Sequence, residues 1–467
     1  MEDLPNSIST DLLIIGSGPG GYEAALHASQ LGLNVILAEM ENYGGACLHH
    51  GCIPSKTLLN ATNMVYNISH AENMGIFSSP SIDFTQMISW KDEIISRIEG
   101  QIKKMCSAKK IKLLQGKVTF LTTTSALLTP LDPQARCTIS FKHAIIATGS
   151  KSVELPEFEF DSEYILNSKT ALSLSTIPKK LVIIGAGYIG MELSALFSKL
   201  GTQIDVIELQ NKILPEYESD ISNLVQKHSK NLGITFHFNE SVSSWEKSES
   251  GIKITTATRD GKKNDYFCDR AIVAIGRHPV TETLNLGAIS ITPDQNGFIE
   301  TDDSCRTTVP NIFAIGDVSG PPMLAHKASA EGKKAVDTIC AKPTPSRKSS
   351  IPSVVFTTPE IGTIGLTNTQ AKEAGIEVNI GKVSYGSIGR SHLTNEPLGF
   401  VRIVSNASDG TIIGGQIVGS RASELVAEIG LAIQSQTTVS DLADTIHAHP
   451  TYSELIVLAA RMASSHQ

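Results

Sequence analysis

Two stretches of the chain share one pattern of apolar and small residues. Leu12-Leu-Ile-Ile15 is a continuous apolar run ending in Gly16-Ser-Gly18-Pro-Gly-Gly21, and Leu181-Val-Ile-Ile184 ends in Gly185-Ala-Gly187-Tyr188-Ile189-Gly190. Short apolar runs without alternation predict strands buried on both faces. Each is followed by a helical stretch, 22–31 and 191–200, that stops at Leu-Gly, where glycine takes the positive φ of a helix end. A second apolar strand follows each, 34–38 and 203–207. Each is closed by an acid, Glu39 and Glu208, 23 residues past the first glycine of its motif. The pattern predicts two strand–helix–strand units of one design.

Three further runs, 144–149, 271–276 and 312–317, are apolar strands that run into a glycine. Such an ending suits a sharp turn or a backbone that must clear a ligand. The last continues into Asp317, at a strand C-terminus where open α/β sheets bind ligands; a turn cap is the plainer alternative. Met323-Leu324-Ala325-His326 then opens a helical stretch. Residues 341–350 are polar and Pro-containing, the composition of a linker. Beyond it, 401–404 and 411–418 read as strands, and 423–434 and 452–464 as helices. This tail predicts a third, α+β domain that faces a partner or a substrate.

Length and composition narrow the class. At one domain per roughly 150 residues, 467 residues suggest about three domains. With 18% charged residues the chain is neither disordered nor a coiled coil. Its net charge of −8 argues against nucleic acid as a partner. The 5% aromatic content disfavours a β-sandwich, a carbohydrate-binding module or a base-stacking surface. No apolar run approaches the ~18 residues of a membrane span. The acidic start lacks the layout of a secretory signal, and a first strand by Leu12 leaves no room for a transit peptide. A cytoplasmic chain is expected, with the sequons at Asn60, Asn67, Asn239 and Asn406 taken as chance.

The glycines carry a known chemistry. The first makes a tight turn, the second lets the backbone approach a pyrophosphate, and the third lets helix and strand pack closely. The pyrophosphate meets the helix N-terminus and the acid accepts a ribose hydroxyl. Two tight turns with no ligand remain the alternative. Leu209-Gln-Asn after Glu208 offers no Arg for a 2′-phosphate, which favours NAD over NADP. Two dinucleotide sites in one chain suggest a flavin plus a nicotinamide.

Seven cysteines is an odd count, too sparse for a disulfide-stapled secreted domain. One pair stands apart: Cys47 and Cys52, in Gly44-Gly-Ala-Cys47-Leu-His-His-Gly-Cys52-Ile-Pro-Ser-Lys56. Pro54 suits the first turn of a helix beginning near residue 53, so Cys52 sits just before a helix N-terminus, which favours thiolate. The intervening loop can bring both sulfurs to bonding distance in a small, exchangeable ring. A metal pair or two ordinary thiols are the alternatives; a metal would need more ligands than the neighbouring His49 and His50 supply.

Residues 44–56 resemble the active-site motif of the flavin-dependent pyridine nucleotide–disulfide oxidoreductases. The resemblance runs end to end. Thr308-Val-Pro-Asn-Ile-Phe-Ala-Ile-Gly-Asp317 is similar to the family's second FAD motif. His447-Ala-His449-Pro-Thr-Tyr-Ser-Glu454 is similar to its C-terminal catalytic motif. The fold it implies is α/β, with two Rossmann-like dinucleotide-binding domains, for FAD and NAD, plus a C-terminal α+β dimerisation domain. The implied divisions are 1–150 for the first part of the FAD domain, 151–276 for the NAD domain, 277–346 for the rest of the FAD domain, and 347–467 for the dimerisation domain.

The resemblance also assigns roles. Gly16, Gly18, Gly21 and Glu39 would hold the ADP part of FAD, and Lys56, Gly116, Thr148, Gly149, Asp317 and Met323 to His326 the rest. Gly185, Gly187, Tyr188, Ile189, Gly190 and Glu208 would hold NAD, with Val242, Gly276 and Arg277 nearby. Cys47 would exchange with substrate and Cys52 would lie against the flavin. Lys56 and Glu192 look like the family's ion pair near the flavin's reactive nitrogen. His449 would be the base and Glu454 its orienting partner. The residue chemistry agrees, since thiol–disulfide exchange needs a dithiol to lose a proton and a carboxylate can fix the imidazole's tautomer. His447 competes for the base role, and only the motif's register decides against it.

Within the family, the similarity points to oxidation of a protein-bound dihydrolipoyl group with reduction of NAD. The implied partners are a second copy of the chain and the lipoyl domains of a dihydrolipoyl acyltransferase in a 2-oxoacid dehydrogenase complex, with a glycine cleavage complex as a further host. A reductase of another small disulfide, or a redox-sensing flavoprotein without turnover, is the alternative. No metal is expected. The sequence departs from the family at His49 and His50, where Asn-Val is usual; extra imidazoles there could shift the thiol chemistry.

Overall fold

The computed structural model describes residues 5–130, 135–249, 251–343 and 350–464. Most of the expected linker (344–349) and the last three residues of the tail lie outside the described residues. The chain divides into two compact units, each built from two stretches: Met1–Ile177 with Ile272–Ser346, and Pro178–Ala271 with Arg347–Gln467.

In the first unit the strand Ser7–Ile15 lies at the centre of a sheet, parallel to Val35–Glu39 on one side and Cys137–Ile146 on the other. Ile312–Ala314 returns to pair, also parallel, with the end of Cys137–Ile146. Alternate residues of the central strand feed different cores. Leu12 and Ile14 pack with the helices on one face, while Leu13 and Ile15 pack with Phe120, Leu128, Phe141 and Leu284 on the other. The unbroken apolar run arises from this double burial. The helix Pro19–Gln30 follows the first glycine motif, and Ala325–Ile339 packs on it closely. A Cβ on Gly20 would lie 2.9 Å from the Ala328 carbonyl oxygen, and one on Gly332 would lie 2.7 Å from that of Gly20.

The second unit repeats the design. Lys180–Ile184, Gln203–Glu208 and Ile234–Phe238 are parallel neighbours, with the helix Tyr188–Lys199 between the first two in sequence. A three-stranded antiparallel sheet follows, Glu240–Ser248, Gly251–Thr258 and Lys263–Cys268, which the sequence pattern did not single out. The same unit holds the C-terminal α+β part. Its antiparallel sheet contains Val378–Ser384, Phe400–Asn406, Ile412–Val418, Ile361–Gly365 and Ser353–Val355 in that order. The helices Ala422–Gln434 and Glu454–Ser464 contribute to its core. Glycine lets this packing tighten: a Cβ on Gly381 would sit 1.7 Å from the Ala459 carbonyl oxygen.

The architecture is thus the expected α/β one, two Rossmann-like dinucleotide folds plus an α+β tail. The cysteine segment differs locally from the loop expected. Gly45–His50 is a short helix, started by Gly44 in the left-handed region, and Gly51 separates it from the helix Cys52–Ser69. Cys47 therefore rides on helix, and Cys52 is the first residue of the next helix. Among the described residues, no helix is long and apolar enough to cross a membrane.

Candidate active site

The two glycine motifs agree residue by residue. Gly16 and Gly185 turn at φ +101° and +102°, a region open to glycine. Cβ atoms on Gly21 and Gly190 would lie 1.9 and 2.0 Å from the carbonyl oxygens of Gly16 and Gly185, so helix and strand close only without side chains there. Gly18 and Gly187, the caps of the following helices, have nothing within 4 Å of a Cβ. The acids match as well. Glu39 Oε2 accepts from the Ser17 amide at 2.8 Å and its hydroxyl at 2.7 Å, and Oε1 accepts from the Glu41 amide at 2.9 Å. Glu208 Oε2 accepts from the Ala186 amide at 2.7 Å and Oε1 from the Gln210 amide at 2.8 Å. A tight turn, an open helix N-terminus and a carboxylate fixed beside it fit a dinucleotide at each motif.

Around the first motif, the other expected flavin residues gather in the same unit. Gly116, at φ +156°, donates its amide to the Glu39 carbonyl at 2.8 Å. Thr148 Oγ1 donates to the Val280 carbonyl at 2.6 Å, and the Gly149 carbonyl accepts from the Val280 amide at 3.0 Å. Asp317 Oδ2 accepts a short hydrogen bond from the Ser150 hydroxyl. Arg277, expected beside NAD, is placed in this unit with Gly276. Its Nε donates to Ser150 Oγ at 2.7 Å and lies 4.0 Å from Asp317 Oδ2. Ser17 and Ser150 went unnoticed in the sequence, being serines without a motif of their own. Met323 and Leu324 precede the helix that Ala325 and His326 open. Val242 lies in the second unit, at a bulge in the strand Glu240–Ser248.

The cysteine helix is docked on the first motif. The Gly44 amide reaches the Ser17 carbonyl and hydroxyl oxygens, both at 3.1 Å, and a Cβ on Gly45 would stand 2.6 Å from the Gly18 Cα. Cys47 and Cys52 are both half-buried. The side-chain hydrogen bond with Cys52, then burial, push the Cys47 thiol well above its ordinary value, and the Lys56 ammonium pulls the other way. His49 Nε2 turns to the Tyr43 carbonyl at 3.0 Å, and His50 Nε2 to Glu41 Oε2 at 3.4 Å. Of the other cysteines, burial raises Cys106 to about 11 and Cys268 and Cys305 to about 12.

In the second unit, His449 Nδ1 lies 2.8 Å from Glu454 Oε1, and the Thr451 amide donates to Glu454 Oε2 at 2.9 Å. These bonds, His449 first, hold the Glu454 carboxyl below its ordinary range. Glu454 is the first residue of its helix, where a carboxylate also faces the positive end of the dipole. The His449 side chain is 77% exposed, and Nε2 is the ring nitrogen left for a reactant. His447 is differently placed. Its side chain is 9% exposed, Nε2 lies 2.6 Å from Glu428 Oε1, and Nδ1 3.0 Å from the Thr445 carbonyl. Both of its nitrogens are spent. Glu192, 4% exposed, accepts from the Phe356 amide at 2.9 Å.

Comparison with known proteins gives a consistent result. Residues 10–332 match the family model described as pyridine nucleotide-disulphide oxidoreductase, and 351–460 match its dimerisation domain. Dihydrolipoyl dehydrogenase 2 of Haloarcula marismortui is 45% identical over 455 residues, 97% of this chain and 96% of its own length. The dihydrolipoyl dehydrogenase of Bacillus subtilis is 40% identical over 98% of this chain and 97% of its own length. Among solved structures, LpdA from Mycobacterium tuberculosis aligns with a TM-score of 0.90 at 26% identity, over 97% of this chain and 99% of that one.

Proposed function

The chain belongs to the pyridine nucleotide-disulphide oxidoreductase family, and on that premise we propose that it is a dihydrolipoyl dehydrogenase using FAD and NAD. The observation that carries this reading is the docking of the Cys47 helix on the Gly18 turn: a cysteine pair is fixed against a dinucleotide-type loop. In this reading the first unit holds FAD through Gly16, Gly18, Gly21, Glu39 and Asp317. The second holds NAD through Gly185, Gly187, Gly190 and Glu208.

The enzyme's resting form carries a Cys47–Cys52 disulfide. A dihydrolipoyl thiol gives its proton to His449 and attacks Cys47 Sγ, and the Cys47–Cys52 bond breaks. The second lipoyl thiol then attacks the mixed disulfide, leaving lipoyl oxidised and Cys47 and Cys52 as a dithiol. Glu454 holds His449 Nδ1, so that Nε2 takes the proton and the imidazolium is stabilised. Lys56 favours thiolate on the cysteines. Bound FAD would take the electron pair from the dithiol, and bound NAD would receive it as hydride, leaving one proton to solvent.

The C-terminal part makes a homodimer in this reading, the substrate is presented by the lipoyl domains of a 2-oxoacid dehydrogenase complex or a glycine cleavage complex, and the enzyme is cytoplasmic. The test supplies dihydrolipoamide and NAD and follows NADH. No turnover, with brisk reduction of glutathione disulfide by NADPH, would refute the proposal.

A further inference from the structure

The segment carrying Asp317 is strapped to the helix behind it by an ion pair whose lysine is buried. The segment Gly316–Ser319 is a single 3-10 turn bounded by Gly316 at φ +76° and Gly320 at φ +120°. Such a turn has little internal hydrogen bonding to hold its shape. Lys327, 7% exposed, supplies what is missing from the first turn of the helix Ala325–Ile339. Its Nζ donates to the Gly316 carbonyl at 3.2 Å and the Gly320 carbonyl at 2.8 Å, and lies 3.1 Å from Glu331 Oε1. Three ammonium protons thus meet three acceptors. Glu331 closes the circuit through Oε2, which accepts from the Gly316 amide at 2.8 Å and the Ser319 hydroxyl at 3.4 Å. Both ends of the turn are therefore held by one pair of side chains. That pair sits on a helix packed against Pro19–Gln30, the helix that follows the first glycine motif.

We propose that Lys327 and Glu331 are positioning residues for Asp317, fixing the Gly316–Gly320 turn and through it the grip on FAD. The inference rests on the reading of Asp317 as an FAD contact given above. A buried lysine with a carboxylate partner is costly to keep, and a neutral pair of similar volume would often be as stable. Fixing a ligand-bearing turn within a fraction of an ångström is a reason to keep it.

The experiment compares wild-type holoenzyme with Lys327→Met, Glu331→Gln, Asp317→Asn and the Lys327→Met/Asp317→Asn double variant. Hydrogen exchange reads the strap: amides of 316–320 should exchange faster in Lys327→Met and Glu331→Gln, while those of 19–30 keep their protection. FAD release, followed as free-flavin fluorescence, reads the consequence: each single variant should release FAD about tenfold faster or more. The double variant should release it no faster than Asp317→Asn alone, because the turn has nothing further to hold. Glu331→Gln keeps the side-chain shape and carries the test if Lys327→Met does not fold. Unchanged exchange at 316–320, or a double variant whose effect is the product of the two singles, overturns the inference. Faster exchange at 316–320 together with wild-type FAD retention in Asp317→Asn upholds the strap and overturns the reading of Asp317.

Discussion

The second glycine motif allows one atom to be added at two positions with opposite results. In Gly190→Ala the new Cβ falls 2.0 Å from the Gly185 carbonyl oxygen and 3.4 Å from Ile183 Cγ2. The near obstacle is backbone, so the helix Tyr188–Lys199 must move off the strand Lys180–Ile184 by more than an ångström or the turn must deform. Overpacking of this kind costs about 1–3 kcal/mol, and a rigid obstacle puts this case at the upper end. In Gly187→Ala the Cβ meets nothing within 4 Å, and the backbone at φ −72°, ψ −179° accepts alanine. Its effect on folding should stay within about 0.5 kcal/mol. On the proposed reading, however, the methyl group would stand where the NAD pyrophosphate approaches the helix N-terminus. The dissociation constant for NAD should rise at least about tenfold, roughly 1.4 kcal/mol. Urea unfolding and NAD titration calorimetry on both variants separate the two effects. A Gly187→Ala protein with wild-type NAD affinity, or a Gly190→Ala protein with wild-type unfolding, would refute the division of labour among the three glycines.

Three further outcomes are expected. With the Cys47 thiol pushed up by Cys52 and by burial, alkylation of the dithiol form should be slow at neutral pH, and Lys56→Met should slow it further; faster labelling of Lys56→Met would contradict this. His449→Gln should lower dihydrolipoamide-dependent NADH formation by about 10²–10⁴-fold, whereas His447→Gln should leave the rate within a few-fold of wild type, as steady-state kinetics would show. Burial raises the Asp205 carboxyl, but the His237 hydrogen bond and Lys180 outweigh it and hold the group below its ordinary value. The stability it contributes is therefore present above about pH 4 and lost as pH falls through the lower, folded-state value. Unfolding of Asp205→Asn should differ from wild type at neutral pH, and the gap should close on acidification.

The parts of the molecule that were legible in the sequence are those where one residue type has one physical reason to be there. The apolar runs at 12–15 and 181–184 betray strands because both faces are buried, and the glycines betray turns because no other side chain fits. The helix Gly45–His50 was illegible. It is too short for a periodic pattern, and its start depends on Gly44 and Gly45 at φ +109° and +64°, which a sequence shows only as two more glycines. The choice between His447 and His449 could be read only from motif register. In three dimensions it follows from hydrogen bonding, since His447 has both nitrogens occupied and His449 has one. Lys327 and Glu331 look like ordinary helix-surface charges at a four-residue spacing, and nothing local signals that they turn inward. Arg277 follows a strand-ending glycine, and its placement on Ser150 depends on the antiparallel pairing of 277–279 with 150–152, a contact across more than a hundred residues.

The strand Ile312–Ala314 completes its sheet only by returning to Ala144–Ile146, 168 residues earlier in the chain. During synthesis at about 5–20 residues per second, that return comes roughly ten to thirty seconds after its partner has left the ribosome. Over that interval the carboxyl end of Cys137–Ile146 is an open, fully apolar edge, the kind that pairs with any strand that reaches it. The nascent first unit is therefore most exposed to misassembly while the glycine motif of the second is being made. A chain stopped between residues 147 and 311 carries an intact first glycine motif and its cysteine pair on a sheet that has no way to close.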